Sequence, residues 1–218
     1  MFTETIVVAD ERQPDLVPRE DAPALPACRI VACERGDANR AEAEAFVRRR
    51  FLRSHGAHIA TFMPTLMLLT GADGELAAVA GFRNAASEPL FLERYLREPI
   101  EQALATQANA PTRRSEIVEI GNFAAVDSRH ARMLMSFMPS WFIERSARWI
   151  AFTATNTIRT LLAAMGGRCV ELGAADGARV AGGVDEWGRY YSTDPRVMAG
   201  FLPSARHIPA LWRLPHGD

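Results

Sequence analysis

Strand-like and helix-like patterning alternate between Ile117 and Gly173, and this alternation limits the chain more than any other feature. Ile117–Val126 reads as a strand and Arg129–Ser146 as a helix bent at Pro139. Arg148–Thr153 reads as a strand, Asn156–Met165 as a helix and Cys169–Leu172 as a strand. Strands separated by helical stretches cannot form tight hairpins. They favour parallel pairing through crossover helices, hence a sheet with helices packed on it.

The first half reads differently. Cys28–Cys33 suits a first strand. Asp37 is placed to cap a helix over Ala38–Ser54, in which Ala41, Ala45, Phe46 and Phe51 recur at near-helical spacing and which ends near Gly56. Thr65–Thr70 and Glu75–Arg83 flank the turn signal Gly71-Ala72-Asp73-Gly74, which predicts an antiparallel hairpin. Pro89–Gln107 is helical in character, and Pro99 divides it into two short helices. After Gly173 come a Gly/Ala-rich loop, an aromatic segment at Trp187–Tyr191 and a short final helix near Pro195–Phe201. Residues 1–26, with four prolines, are expected to form an extended arm, residues 27–202 one domain and residues 203–218 a tail. The expected fold is therefore α/β (α+β), a mixed central sheet flanked by helices.

Composition removes several classes of chemistry. All 25 basic residues are arginine, so no Schiff-base lysine and no P-loop lysine is available. A net charge of −1 argues against nucleic-acid binding through bulk charge. Three cysteines with irregular spacing give neither a disulfide framework nor a zinc motif, and a reducing compartment fits them. His55 and His58 lack a third ligand, so no metal site is expected. The N-terminus has no signal-peptide pattern, and the apolar runs Ile59–Leu69 and Met133–Ile143 are too short to span a bilayer. These features point to a cytoplasmic protein without membrane contact.

A hairpin followed by strand–helix–strand–helix–strand is the element order of the GNAT acyltransferases. The run Asn156–Gly167, with its glycine eleven positions after the asparagine, is similar to the fifth strand and fourth helix of that fold. Ala163 stands where those enzymes often carry a general-acid tyrosine. Four further segments occur in order: Phe91–Glu101, Ile117–Ala124, Phe152–Thr155 and Trp187–Tyr191. Together they resemble the thermostable hemolysin family over roughly residues 28–202. That family is similar in turn to acyl-homoserine-lactone synthases and N-acyl amino acid synthases. Gly121-Asn122 replaces the Ser-Arg of the lactone synthases' corresponding strand.

The resemblance implies a splayed strand whose backbone holds the pantetheine arm of acyl-coenzyme A or of an acyl carrier protein as co-substrate, with no permanently bound cofactor. Gly121 is a candidate for a bulge, and Phe123, Ala124, Ala125 and Val126 would offer backbone donors. Asn122 lies beside them. By strand alternation Glu119 shares a face with Ile117, Gly121 and Phe123, where burial could raise its pKa enough for base or amine-orienting work. The alternative is a structural pair with Arg83 or Arg159.

The start of the following helix, with Arg129, His130 and Arg132, could hold a phosphate. A helix simply capped by Asp127 or Ser128 is the alternative. No glycine-rich phosphate loop is present there. Asn156 belongs with this cofactor side. Thr153 and Thr155 sit at a strand end, and Trp187, Tyr190 and Tyr191 could line an acyl or amine pocket or belong to the core. The implied activity is N-acyl transfer to a small amine or amino acid. A membrane-active hemolysin and a non-catalytic acyl-binding domain are the rival readings.

Overall fold

The computed structural model describes residues 3–5, 28–71, 73–180 and 185–202. Most of the expected N-terminal arm and the whole expected C-terminal tail lie outside these residues. In chain order the elements are β1 (Thr3–Thr5), β2 (Arg29–Cys33), α1 (Arg40–His55), β3 (Thr65–Thr70), β4 (Leu76–Asn84), α2 (Ile100–Ala108), β5 (Ile117–Ala125), α3 (Ser128–Glu144), β6 (Trp149–Ala154), α4 (Asn156–Ala164), β7 (Cys169–Ala174) and β8 (Arg196–Phe201). Short 3-10 turns lie between them, among them Leu92–Tyr95 and Tyr191–Thr193.

All strands among the described residues join one mixed sheet in the order β1-β2-β3-β4-β5-β6-β8-β7. Neighbours from β1 to β5 pair antiparallel, β5 and β6 pair parallel through α3, and β6-β8-β7 pair antiparallel. One sheet face carries α1 and the Leu92–Tyr95 turn with α2. Leu66, Leu68 and Val79 bury against Phe46 and Val47 of α1, and Ile117 and Ala151 pack with Leu92, Ile100 and Leu104. The other face carries α3, whose Leu134, Phe137 and Phe142 cover Met67, Ala80, Val118 and Ile120. The expected hairpin, the split at Pro99 and the parallel crossover are all present.

Two expectations fail. The segment at 195–201 is not a helix. Arg196–Phe201 is a strand that inserts between β6 and β7, so these two are not neighbours. Val197 and Ala199 point to one face and pack with Ile117 and Ala151, while Met198 packs on the other. That alternation is period two, and six apolar-rich residues alone cannot distinguish it from a helical turn. Asp37 does not cap α1. Its carboxylate accepts the Glu34 N–H at 2.9 Å, and the N-cap position falls on Asn39, which makes no side-chain cap.

Candidate active site

The parallel pairing of β5 with β6 runs from Ile117–Trp149 to Ile120–Phe152 and stops. On its other edge β5 stays with β4, but the register slips. Gly121 faces Gly81 while Ala124 faces Val79, so β5 carries one extra residue. Asn122 occupies the bulge with φ at +48°, a left-handed conformation that asparagine tolerates better than most residues. A bulge bends and twists its strand. Beyond Ile120 the β6-facing edge of β5 has no strand partner among the described residues. Val126 donates its N–H to Ala77 of β4 at 2.9 Å, so it is not one of the donors expected for a ligand. N–H directions alternate along a strand, which turns those of Phe123 and Ala125 toward the gap.

The bulge also shifts the side-chain phase. Gly121 and Asn122 both lie on the α1 side, Phe123 packs on the α3 side and Ala124 returns to the α1 side. Phe123 therefore does not share a face with Glu119.

A cavity of about 810 Å³ passes through the gap between β5 and β6, a size typical of ligand pockets. Its α3–α4 side is apolar, walled by Met135, Met138, Ile158, Leu161, Leu162 and Met165. α4 has no fully buried side chain because its inner face fronts this space. The other side is polar and aromatic, with Arg83, Glu119, Thr153, Thr155, Phe91, Tyr95, Trp187 and Tyr190. Tyr191 is tied to this wall by a 2.6 Å hydrogen bond between its hydroxyl and that of Tyr95.

Glu119 is almost fully buried. Its two carboxylate oxygens accept the backbone N–H of Leu92 at 2.8 Å and of Phe91 at 2.9 Å, and Arg83 Nε lies 3.2 Å away. Burial raises its pKa, and the two N–H donors and the arginine oppose that rise. The carboxylate thus anchors the turn that carries Phe91 and Tyr95. Asn122 is similarly engaged. Its Oδ1 accepts the Met63 N–H at 2.8 Å and its Nδ2 donates to the Thr61 carbonyl at 3.3 Å. Met63 lies directly on the facing glycines, where a Cβ at Gly121 would come within 2.6 Å of its Cε.

At the start of α3, Asp127 caps the helix by accepting the His130 N–H at 2.9 Å, and it also contacts His130 Nδ1 at 2.9 Å. Arg129, His130 and Arg132 do not line the cavity, and the cap places a carboxylate where a phosphate was expected. The cation at this end is Arg50 of α1, which donates to the Val126 carbonyl at 3.3 Å. Asn156 opens α4 with an exposed side chain outside the cavity lining. Thr155 stands at the N-cap of α4 but makes no side-chain cap bond; it is buried against the cavity.

Sequence reasoning missed Arg50, Ser54 and His55, because only tertiary packing brings the end of α1 to β5. Cys169, at the start of β7, also reaches the cavity wall, and burial raises its thiol pKa.

A mixed sheet opened between two parallel strands, with a bulge at the opening, is a GNAT-like fold. The chain belongs to the thermostable hemolysin family, whose profile matches residues 33–206. No curated protein sequence matches it significantly. Among solved structures it is similar to FeeM, an N-acyl amino acid synthase from uncultured soil microbes. Identity is 16%, 83% of this chain and 94% of that one are covered, and the TM-score is 0.57. It is also similar to the AHL synthase LasI, at 13% identity, 80% and 89% coverage and TM-score 0.54. A third is BjaI, a coenzyme A-dependent acyl-homoserine lactone synthase with SAM and isopentyl-CoA, at 11% identity, 80% and 83% coverage and TM-score 0.54. These likenesses establish the fold. No helix among the described residues is long and apolar enough to cross a membrane.

Proposed function

We propose that this protein is an N-acyltransferase that moves an acyl group from a phosphopantetheine thioester to a small amine or amino acid. The observation that carries this reading is the edge of β5 beyond Ile120, which runs along the cavity without a strand partner. An extended pantetheine arm, from acyl-coenzyme A or an acyl carrier protein, can pair with such an edge as an added strand does. That pairing puts the thioester carbonyl near the N–H groups of Phe123 and Ala125, which suit a developing oxyanion. The acyl chain then lies among Met135, Met138, Leu161, Leu162 and Met165, and the acceptor enters along Phe91, Tyr95, Trp187 and Tyr190. Thr153 and Thr155 belong to the same polar side as the acceptor path.

Glu119 positions the aromatic wall in this arrangement, and Asn122 sets the bulge. The similarity to FeeM, LasI and BjaI supports the same class of chemistry. The test is mass spectrometry of purified protein incubated with a panel of acyl-coenzyme A and acyl-carrier-protein donors and a panel of amines and amino acids. An amide product in any pair supports the reading. No product with any pair overturns it.

A further inference from the structure

Transfer to an amine needs a group that removes a proton, since an amine is largely an unreactive ammonium near neutral pH. The titratable side chains around the cavity narrow the choice. Arg50, Arg83, Arg168 and Arg189 cannot accept a proton. Burial raises the pKa of Tyr95, Tyr190 and Cys169, so they stay protonated. Asp127 is held by its cap to His130. Glu119 already receives two backbone N–H donors and lies beside Arg83. His55 remains. It is half-buried at the end of α1, and its ring is held edge-on to Tyr190 at 5.4 Å and tilted against Phe51 at 5.9 Å. No hydrogen bond among the described residues engages its ring nitrogens.

We propose that His55 is the general base that deprotonates the incoming amine. This rests on the acyl-transfer reading above. A ring nitrogen takes one proton from the acceptor ammonium. The freed nitrogen lone pair attacks the thioester carbonyl. As the tetrahedral intermediate collapses, the C–N bond is kept and the C–S bond breaks. The second amine proton ends on the departing thiolate, and imidazolium returns its own proton to solvent.

Burial, and then the charge of Arg189, lower the pKa of this imidazole, which keeps it neutral and able to accept. The charged group that acts on it is Arg189, from the segment before the Tyr191–Thr193 turn; Arg50 on its own helix and Arg83, Glu119, Asp127 and Arg168 line the same cavity.

The experiment is the pH dependence of kcat/KM for wild type, His55→Gln and His55→Asn, alongside an NMR titration of the wild-type ring. In wild type, an acidic limb should fall at the pKa that NMR assigns to His55, below the ordinary histidine value. Both variants should lose that limb and roughly 10²- to 10⁴-fold in kcat/KM at neutral pH. An acceptor whose own pKa lies below the assay pH needs no base, so its penalty should be at least tenfold smaller, and added imidazole should restore part of the rate. A ring titration that does not match the wild-type limb overturns the assignment. An unchanged limb in folded variants, or equal losses with both kinds of amine, does the same. Absence of any amide from wild type removes the acyl-transfer reading and this role together, whereas normal turnover in His55→Gln removes only the role of His55.

Discussion

The side-chain oxygen of Asn122 accepts the Met63 N–H at 2.8 Å while its own backbone stands at φ +48°. One residue therefore both shapes the bulge in β5 and fastens the segment that crosses it. Asn122→Gly keeps the backbone conformation and loses this bond and the one to the Thr61 carbonyl, at a cost of about 1–2 kcal/mol. Asn122→Ala loses the same two bonds and also places a Cβ in a left-handed position, so it should cost about 1 kcal/mol more. Urea denaturation checks the order. Equal stabilities for the two variants would show that the left-handed position carries no strain.

Gly121→Val tests the same crossing from below. A side chain there meets Met63, and the close glycine pair no longer admits it. Overpacking of this kind costs about 1–3 kcal/mol. The shift of Met63, which lines the cavity, should also raise the KM for the acyl donor. A thermal melt and a donor titration read the two effects.

Glu119→Gln separates anchoring from proton transfer. A glutamine amide can accept one of the two N–H groups of Phe91 and Leu92, and its NH₂ opposes the other. The expected result is a stability loss of about 2 kcal/mol and a higher acceptor KM, because the aromatic wall hangs on that turn. Loss of kcat at unchanged stability and KM would instead return Glu119 to the chemical step.

Glu93 gives the fold an acid limit. Burial alone would raise its pKa, but Arg114 at 2.6 and 3.0 Å and the N–H groups of Leu90 and Ile100 outweigh that and lower it from 4.5 to about 2. A carboxylate with a depressed folded pKa contributes stability above its unfolded pKa and loses it as pH falls through the folded value. Stability should therefore decline between pH 4.5 and about 2, by on the order of 2–3 kcal/mol. Glu93→Gln should flatten this decline while lowering stability at neutral pH. Guanidinium melts across that range supply the check.

Leu161→Trp should shorten the preferred acyl chain, since the indole would occupy space on the α3–α4 side of the cavity. Comparison of kcat/KM over a series of donor lengths checks this, and an unchanged length optimum would place the chain elsewhere.

Local patterning made much of this legible. The hairpin at Gly71–Gly74, the break at Pro99 and the parallel crossover through α3 follow from turn residues and hydrophobic period. Glu119 stood out as a carboxylate inside a strand. The bulge was half legible. Gly121 marked the place, yet the left-handed residue is its neighbour, and the resulting phase shift of Phe123 cannot be read from composition. Arg50, Ser54 and His55 gave no local sign of their role, because their approach to β5 is set by how α1 packs. The insertion of β8 between β6 and β7 is likewise a non-local choice of partner that six residues do not encode.

α4 presents Ile158, Leu161 and Leu162 to the cavity, with Met165 at its C-cap, and none of them is completely seated. Its tightness is therefore set in part by whatever hydrocarbon it is given to grip. Each methylene that enters adds about 0.8 kcal/mol of burial at most, in a region whose backbone amides can report it by slower exchange with deuterium. If the acyl-transfer proposal holds, the helix is a gauge of its guest, and a ladder of acyl chains should be read from its amide protection before any product is measured.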